Sequence, residues 1–231
     1  MSKLKIADMW GLDPSIEYFT KKRNKFADLY RGEKFIINSI IRDKLSVLDY
    51  GCATGGMYKI LKKKIRKLNY VGIDFNEKLL NKARILNPGV KFYSTREYKK
   101  KLKNKKFDVV LILGLLHLNN SWKKIITENA KFSKKYFIFD LRETEKTGIE
   151  NILKSNFNMQ FDSAKKKYKN YIIPYNIINS FKVQKLLKKK LNKFKKFIEI
   201  KYEGEPSKKS KTSYQSVIFA NYCYKKWKKL T

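Results

Sequence analysis

Apolar positions along the chain recur in two rhythms. Short, near-continuous runs at Ser46–Asp49, Asn69–Asp74, Val90–Tyr93, Phe107–Leu113 and Tyr136–Leu141 read as buried strands. Between them the spacing turns helical: Gly56–Lys67 places Met57, Ile60, Leu61 and Ile65 on one side, Asn76–Leu86 stops before Asn87-Pro88-Gly89, and a third segment covers Ser121–Phe132. Strand alternating with helix predicts an α/β fold with a mostly parallel sheet covered on both faces. Two helices precede this series. The first opens at Asp13-Pro14 with Ile16, Phe19, Phe26 and Leu29 along one side, and the second runs from Glu33 to Lys44. Residues 1–44 therefore form an N-terminal helical extension, a lid or substrate wall, ahead of a main domain at 45–231.

Beyond Leu141 the rhythm is less regular. We expect a short helix at Glu143–Ser155, a mixed insert over about 143–177, and a helix at Ile178–Leu191 with Phe181, Leu186, Leu187 and Leu191 at helical spacing. Phe197–Tyr202 and Ser213–Tyr224, joined by a Gly/Pro/Ser/Lys loop, read as an antiparallel hairpin at the sheet edge.

The most specific stretch is Asp49-Tyr50-Gly51-Cys52-Ala53-Thr54-Gly55-Gly56. A strand ends in an acid, small residues make a tight turn, and a helix follows. Small residues stand wherever a ligand or neighbouring backbone must come close. The spacing after Gly51 does not fit a dinucleotide fingerprint, and no Gly-Lys-Ser/Thr follows to make a phosphate loop. A second acid, Asp74, ends the next strand. Taken alone, either acid is most simply a strand-end carboxylate capping the next turn. The two together, with the glycine turn between them, point to a nucleoside-containing cofactor.

The pattern D-x-G-x-A-x-G-G resembles the first motif of class I S-adenosylmethionine-dependent methyltransferases, with Ala53 where a middle glycine often stands. The resemblance spans roughly residues 45–141, and the terminal hairpin suits it as well. It implies a Rossmann-like, seven-stranded sheet with one antiparallel strand, and S-adenosylmethionine as cofactor. On this resemblance the turn at Asp49, Gly51, Ala53 and Gly55 approaches the methionine part of the cofactor. Asp74 accepts both ribose hydroxyls, Phe75 and Asn76 sit beside the adenosine, and Ser94 and Thr95 reach the adenine, although the acid often found there is missing. Gly114 and Leu115 border the sulfonium.

His117, the sole histidine, lies after the fourth strand, where open α/β sheets place ligands. It is a candidate general base for the acceptor, or else a packing histidine. Asp140 and Arg142 end the fifth strand and are candidates for substrate binding, or for pairing with each other. Cys52 reads as a small filler. Cys52 and Cys223 make neither a metal cluster nor a disulfide framework, so no metal is expected.

Composition alters this picture in one respect. The 231 residues carry a net charge of +35. Such a balance suits a polyanionic partner such as RNA. Only seven of the 55 basic residues are arginine, however, and lysine, asparagine, isoleucine, tyrosine and phenylalanine all have AT-rich codons, so base composition alone would produce the same excess. The run Lys182–Leu191 is amphipathic and basic, and more often packs its leucines on the sheet than lies on a polyanion. No apolar run reaches the roughly 18 residues needed to span a bilayer, and no signal-peptide core opens the chain, so a cytoplasmic location is expected. The fourth strand ends Leu113-Gly114-Leu115-Leu116, without the Pro-Pro-aromatic sequence of amino-methylating enzymes on nucleic acid. The expected acceptor is a small molecule, a metabolite or a sugar such as those of surface-polysaccharide pathways. The rivals are an RNA methyltransferase using the basic surface and a non-catalytic binding protein with the same fold.

Overall fold

The computed structural model describes residues 10–159 and 171–226. Helices α1 (Asp13–Lys21) and α2 (Arg31–Ile40) come first, separated by a 3-10 turn at Phe26–Asp28. There follow β1 (Lys44–Tyr50), α3 (Gly56–Lys62), β2 (Lys67–Asp74), α4 (Glu77–Leu86), β3 (Lys91–Ser94) and a one-turn helix, α5 (Tyr98–Lys101). Next are β4 (Phe107–Ile112), a 3-10 turn at Leu116–Leu118, α6 (Trp122–Ala130) and β5 (Ser133–Thr144). The remainder holds β6 (Asn156–Met159), β7 (Tyr171–Pro174), β8 (Ile178–Asn179), α7 (Ser180–Lys190), β9 (Phe194–Gly204), β10 (Ser210–Lys211) and β11 (Val217–Lys226).

The main sheet runs β3-β2-β1-β4-β5-β11-β9. β1 through β5 are mutually parallel, and β11 is antiparallel to both of its neighbours, β5 and β9. This is the Rossmann-like order with one inverted strand that the motif resemblance implies. Two-residue β8 adds a short parallel pairing to the far end of β5. Alternation along the strands sorts the core into two layers. Val47, Val109, Leu111 and Ile138 face Ile36, Ile37 and Ile40 of α2 and the apolar sides of α3 and α4. Leu48, Val110, Ile112, Phe137 and Phe139 face Trp122 and Ile126 of α6 and Val183 and Leu187 of α7. α2 is thus part of one of the two layers that cover the sheet, and α7 uses its leucines for packing.

Several expectations need correction. Glu143 and Thr144 do not begin a helix; they extend β5, and 145–155 hold no helix at all. Glu143 is wholly buried: its carboxylate accepts from Tyr222 Oη (2.5 Å) on β11 and Ser180 Oγ (2.9 Å) on α7, and pairs with Lys201 Nζ (2.9 Å) on β9. A charge so fully partnered across four elements fixes an extended backbone against local helical spacing. Gly148 then passes close to the Ile177–Asn179 backbone, an approach that a helix with side chains would block. Ile178 and Asn179, expected to start a helix, are strand β8, with Asn179 capping α7 through Lys182 N. The insert and the loop before β11 meet in a small second sheet, β10-β6-β7, which the sequence pattern did not indicate. α5 was also missed, because its buried anchors, Tyr98 against Tyr50 and Phe132 and Leu102 at its C-cap, are only two in a lysine-rich run. The first helix is shorter than expected, since Arg23 adopts a left-handed φ of 58° and turns the chain before Phe26.

Phe139 lies at the centre of the β5–β11 seam, its ring stacked 5.1 Å from Tyr222 and 6.0 Å from Tyr224. Phe139→Ala is expected to destabilise the fold by about 3–5 kcal/mol, measured as a lower urea midpoint with an unchanged m-value.

Candidate functional site

At the carboxyl ends of β1, β2 and β4 the glycine turn, the acid of β2 and the loop after β4 enclose a cleft that is open to solvent on one side. Open α/β sheets bind ligands at this end. Of the residues expected to hold a cofactor, Asp49, Gly51, Ala53, Asp74, Phe75, Gly114 and Leu115 line the cleft.

The turn has an unusual backbone. Gly51, Ala53 and Gly55 all have positive φ, at 91°, 46° and 80°. Glycine takes this region freely, but an alanine there costs on the order of 1–2 kcal/mol. The Ala53 N–H donates to Asp74 Oδ2 (3.0 Å), which ties the strained residue to the end of the neighbouring strand. Asp74 Oδ1 accepts from Asn76 N (3.0 Å). One carboxylate therefore pins the loops after β1 and β2, and each oxygen, with two lone pairs, keeps acceptor capacity for a ligand. Burial is the main cause that lifts the Asp74 pKa, to about 6, against these backbone bonds. Phe75 next to it is 39% exposed, an aromatic ring presented at the cleft.

Asp49 is buried beneath the turn and accepts a hydrogen bond from Tyr70 Oη on β2. Burial raises its pKa to about 6, with the Tyr70 bond and the Arg23 charge acting the other way. Cys52 lines the cleft, but burial holds its thiol well above the usual range, so it stays protonated and unreactive.

Gly55, Asn76, Ser94 and Thr95 do not line the cleft. Gly55 shapes the turn, since a Cβ there would lie 2.6 Å from Asn87 Nδ2. Asn76 caps α4, its Oδ1 accepting from Lys78 N and Leu79 N. Thr95 N donates to the Asp74 carbonyl, and Ser94 N donates to Glu97 Oε1 (3.2 Å), so both brace the strand end. An acid is present after β3, but three residues past Ser94.

Asp140 and Arg142 bond each other. Asp140 Oδ2 accepts from Arg142 Nη1 (2.8 Å), and Oδ1 accepts from Gly114 N (2.6 Å), which holds the loop after β4 at its positive φ of 71°. The Arg142 guanidinium also lies over the Phe219 ring (4.1 Å). The pair stands behind the cleft wall and outside the cleft. His117 is buried edge-on against Tyr175 (5.5 Å), with Nδ1 unpartnered. Burial first, then the nearby Arg142 charge, depresses its pKa to about 3, so the ring is neutral at physiological pH.

The residues the sequence did not single out come from the N-terminal segment: Trp10, Lys22 and Arg23 line the cleft with Phe19. Thr54 Oγ1 donates to the Phe19 carbonyl (2.9 Å), and a Cβ on Gly56 would meet the Arg23 carbonyl at 2.4 Å, so this segment rests directly on the glycine turn. Arg23 pairs with buried Glu33 (2.8 Å) at the start of α2. Gly56, the motif's last glycine, was legible as a close approach; what approaches it was not. Among the described residues no group of His, Cys, Asp and Glu could hold a metal ion, and no helix is long and apolar enough to cross a membrane.

The raised acids have a consequence for stability. An unfolded aspartate ionises near pH 3.9, whereas Asp49 in the fold waits until about 6. Its contribution is fully present below about pH 4 and is lost as the pH rises through 6. The stability difference between the parent and Asp49→Asn, from urea unfolding at pH 4 and pH 7, should therefore shift against the parent at the higher pH.

Comparison with known proteins agrees with this geometry. Residues 41–200 match the family described as a methyltransferase domain. An uncharacterized protein of Methanocaldococcus jannaschii is 31% identical over 162 residues, and the match spans 65% of this chain and 61% of that relative's length. An S-adenosylmethionine-dependent methyltransferase from Clostridium acetobutylicum superposes with a TM-score of 0.58 at 18% identity, covering 87% of this chain and 94% of the other. The Burkholderia thailandensis 1,6-didemethyltoxoflavin-N1-methyltransferase, solved with 1,6-didemethyltoxoflavin and S-adenosylhomocysteine, gives 0.54 at 15%, covering 86% and 78%. The N-terminal domain of EvdMO1, solved in the presence of S-adenosylhomocysteine and D-fucose, gives 0.56 at 13%, covering 85% and 82%. These solved structures share the fold, and the match over residues 41–200 carries the family: the chain belongs to the methyltransferase domain family.

Proposed function

We propose that this protein transfers a methyl group from S-adenosylmethionine to a small-molecule acceptor, a metabolite or a sugar. The observation that carries the reading is the joining of the Gly51–Gly55 turn to Asp74 at the floor of a cleft that residues 10–23 roof. The residues fit the cofactor. Asp74 offers lone pairs from both carboxylate oxygens to the ribose hydroxyls, and the Phe75 ring offers a flat face to the adenosine. The turn at Gly51 and Ala53 admits the methionine part, and Gly114 and Leu115 border the methyl group. The cofactor supplies an electrophilic methyl group on a sulfonium, so the protein's task is to align an acceptor and keep water out.

Asp140 and Arg142 act here through Gly114, holding the loop beside the methyl group in place. His117, neutral and buried, is suited to fix the turn after β4; with its pKa depressed, it is a weak proton acceptor, and in-line placement of the nucleophile suffices for transfer. The small acceptor is supported by the apolar lining that Trp10, Phe19, Leu115 and Leu118 contribute to the cleft. The toxoflavin precursor named for one neighbour and the D-fucose present with another are acceptor-sized molecules of this kind.

In titration calorimetry S-adenosylmethionine should bind the parent protein. Asp74→Ala should weaken it by about 10- to 100-fold, as expected for loss of charge-assisted hydrogen bonds. Equal binding by the variant would remove the assignment. A screen with labelled methyl donor against metabolite, RNA and protein fractions should label the metabolite fraction; label in RNA alone would replace the acceptor class.

A further inference from the structure

The sheet carries a row of lysines at the end opposite the cleft. The parallel strands start there, and in spatial order their starts bear Lys91 on β3, Lys67 on β2, Lys44 on β1, Lys106 just ahead of β4 and Lys134 on β5. The row continues through Lys225 at the finish of inverted β11, paired in register with Lys195 at the start of β9. Every one of these side chains is exposed. Register ties Lys44 directly to Lys67, and Lys225 to Tyr136 next to Lys134 and Lys135. Seven strand ends about 4.8 Å apart make a row about 29 Å long. Beneath its middle, Lys103, Lys105 and Lys131 gather with Lys106 around a shallow depression.

Helix ends explain part of this charge: lysines are favoured at helix C-termini, Lys62 and Lys188–Lys190 are placed so, and Lys106 Nζ donates to the carbonyl of Lys131, the C-cap of α6. The other members of the row stand on strands, which carry little dipole. The acids at this end are few among the described residues: Asp43, Asp108 and Glu128, paired with Arg66, Lys135 and Lys99. Asp49, Asp74, Glu97, Asp140 and Glu143 are all at the opposite end. Acids are therefore sparser at the row than at the cleft end, which leaves the row's lysines less offset; basic residues such as Lys22, Arg23 and Lys201 also occur at the cleft end.

We propose that this row is a docking surface for the phosphate backbone of single-stranded RNA, separate from the methyl-transfer cleft. Its spacing is comparable to that of phosphates, one per about 3.4 Å along a stacked strand and wider when the strand is extended. Adjacent strands of the sheet turn by about 20–25°, so the row curves, and a flexible single strand can follow it where a stiff duplex cannot. Lysine gives point charges without the fork that reads bases, so recognition is of backbone and independent of sequence. A bilayer surface fits less well. The exposed apolar residues nearest the row, Ile85 and Phe197, stand singly at its opposite flanks, leaving no cluster to insert. The placement also separates RNA from the reaction: a strand held here lies away from Asp74 and Gly114, and is bound without being methylated.

The test uses the full chain and a labelled oligouridylate of about 20 nucleotides in fluorescence anisotropy. With about six phosphates engaged, log K should fall with log salt at a slope of about −4. Lys44, Lys106, Lys134 and Lys225 changed together to Gln should weaken binding about tenfold or more, and the same four changed to Arg should keep it. A control removing Lys82, Lys124, Lys146 and Lys185 has the same net charge and should retain parental affinity. Unfolding midpoints of the variants are compared first; if the Gln set is unstable, Lys44→Gln with Lys106→Gln and Lys134→Gln with Lys225→Gln take its place, each pair expected to weaken binding while the control set does not. Equal losses in the Gln and control sets, no binding by the parent, tighter binding to duplex DNA or phosphatidylserine vesicles than to RNA, or methylation of the bound oligonucleotide would each overturn the proposal.

Discussion

The Asp74 carboxylate is the constraint on which the site depends. It must remain an acceptor in a place where burial favours the neutral acid, and it does so by taking N–H bonds from Ala53 and Asn76. These bonds join the loops after β1 and β2, so the strand spacing, the left-handed turn and the start of α4 are set together. The same logic recurs at β5. Asp140 satisfies Gly114 N and Arg142, and Glu143 satisfies Tyr222, Ser180 and Lys201. Buried acids that bind several elements are expensive to leave unpaired, and that expense makes the arrangement specific.

Much of this was readable from residue order, for a physical reason. Buried parallel strands are written as apolar runs, and strand-to-helix turns need small residues at fixed places, so β1–β5, the Gly51–Gly55 turn and Asp74 stand out locally. The order with inverted β11 came from the motif resemblance, not from spacing. What stayed illegible was decided by distant partners. Glu143 reads as a helix start until Tyr222, Ser180 and Lys201 are known to surround it. Ser94, Thr95 and Asn76 have the right position for ligand contact, and yet Ser94 N donates to the Glu97 carboxylate, Thr95 N to the Asp74 carbonyl, and Asn76 caps α4. Arg23 reaches the cleft only because its own left-handed turn carries it there, and nothing in its neighbours announces that turn. Tyr70, two strands' worth of sequence from Asp49, gives no sign of their bond.

The net charge likewise reads differently once the fold is known. As a number it invites either a polyanion or a codon bias. In the fold the acids gather toward the cofactor end, so the excess of positive charge is least offset at the lysine row. Field lines from such a surface guide anions to it at long range, strongly so at low ionic strength.

The inverted strand has one more effect, on the order of folding. β5 needs β11 as its neighbour, but residues 217–226 follow it only after the insert, α7 and β9 have been made. During synthesis β1–β5 can pair while the outer edge of β5 stays bare, its N–H and C=O groups and its Phe137 and Phe139 rings open to other chains. Completion of the sheet is a late, long-range event, and slow for that reason. Lys134 and Lys135, at the leading end of that edge, place repelling charge beside the exposed segment until β11 arrives.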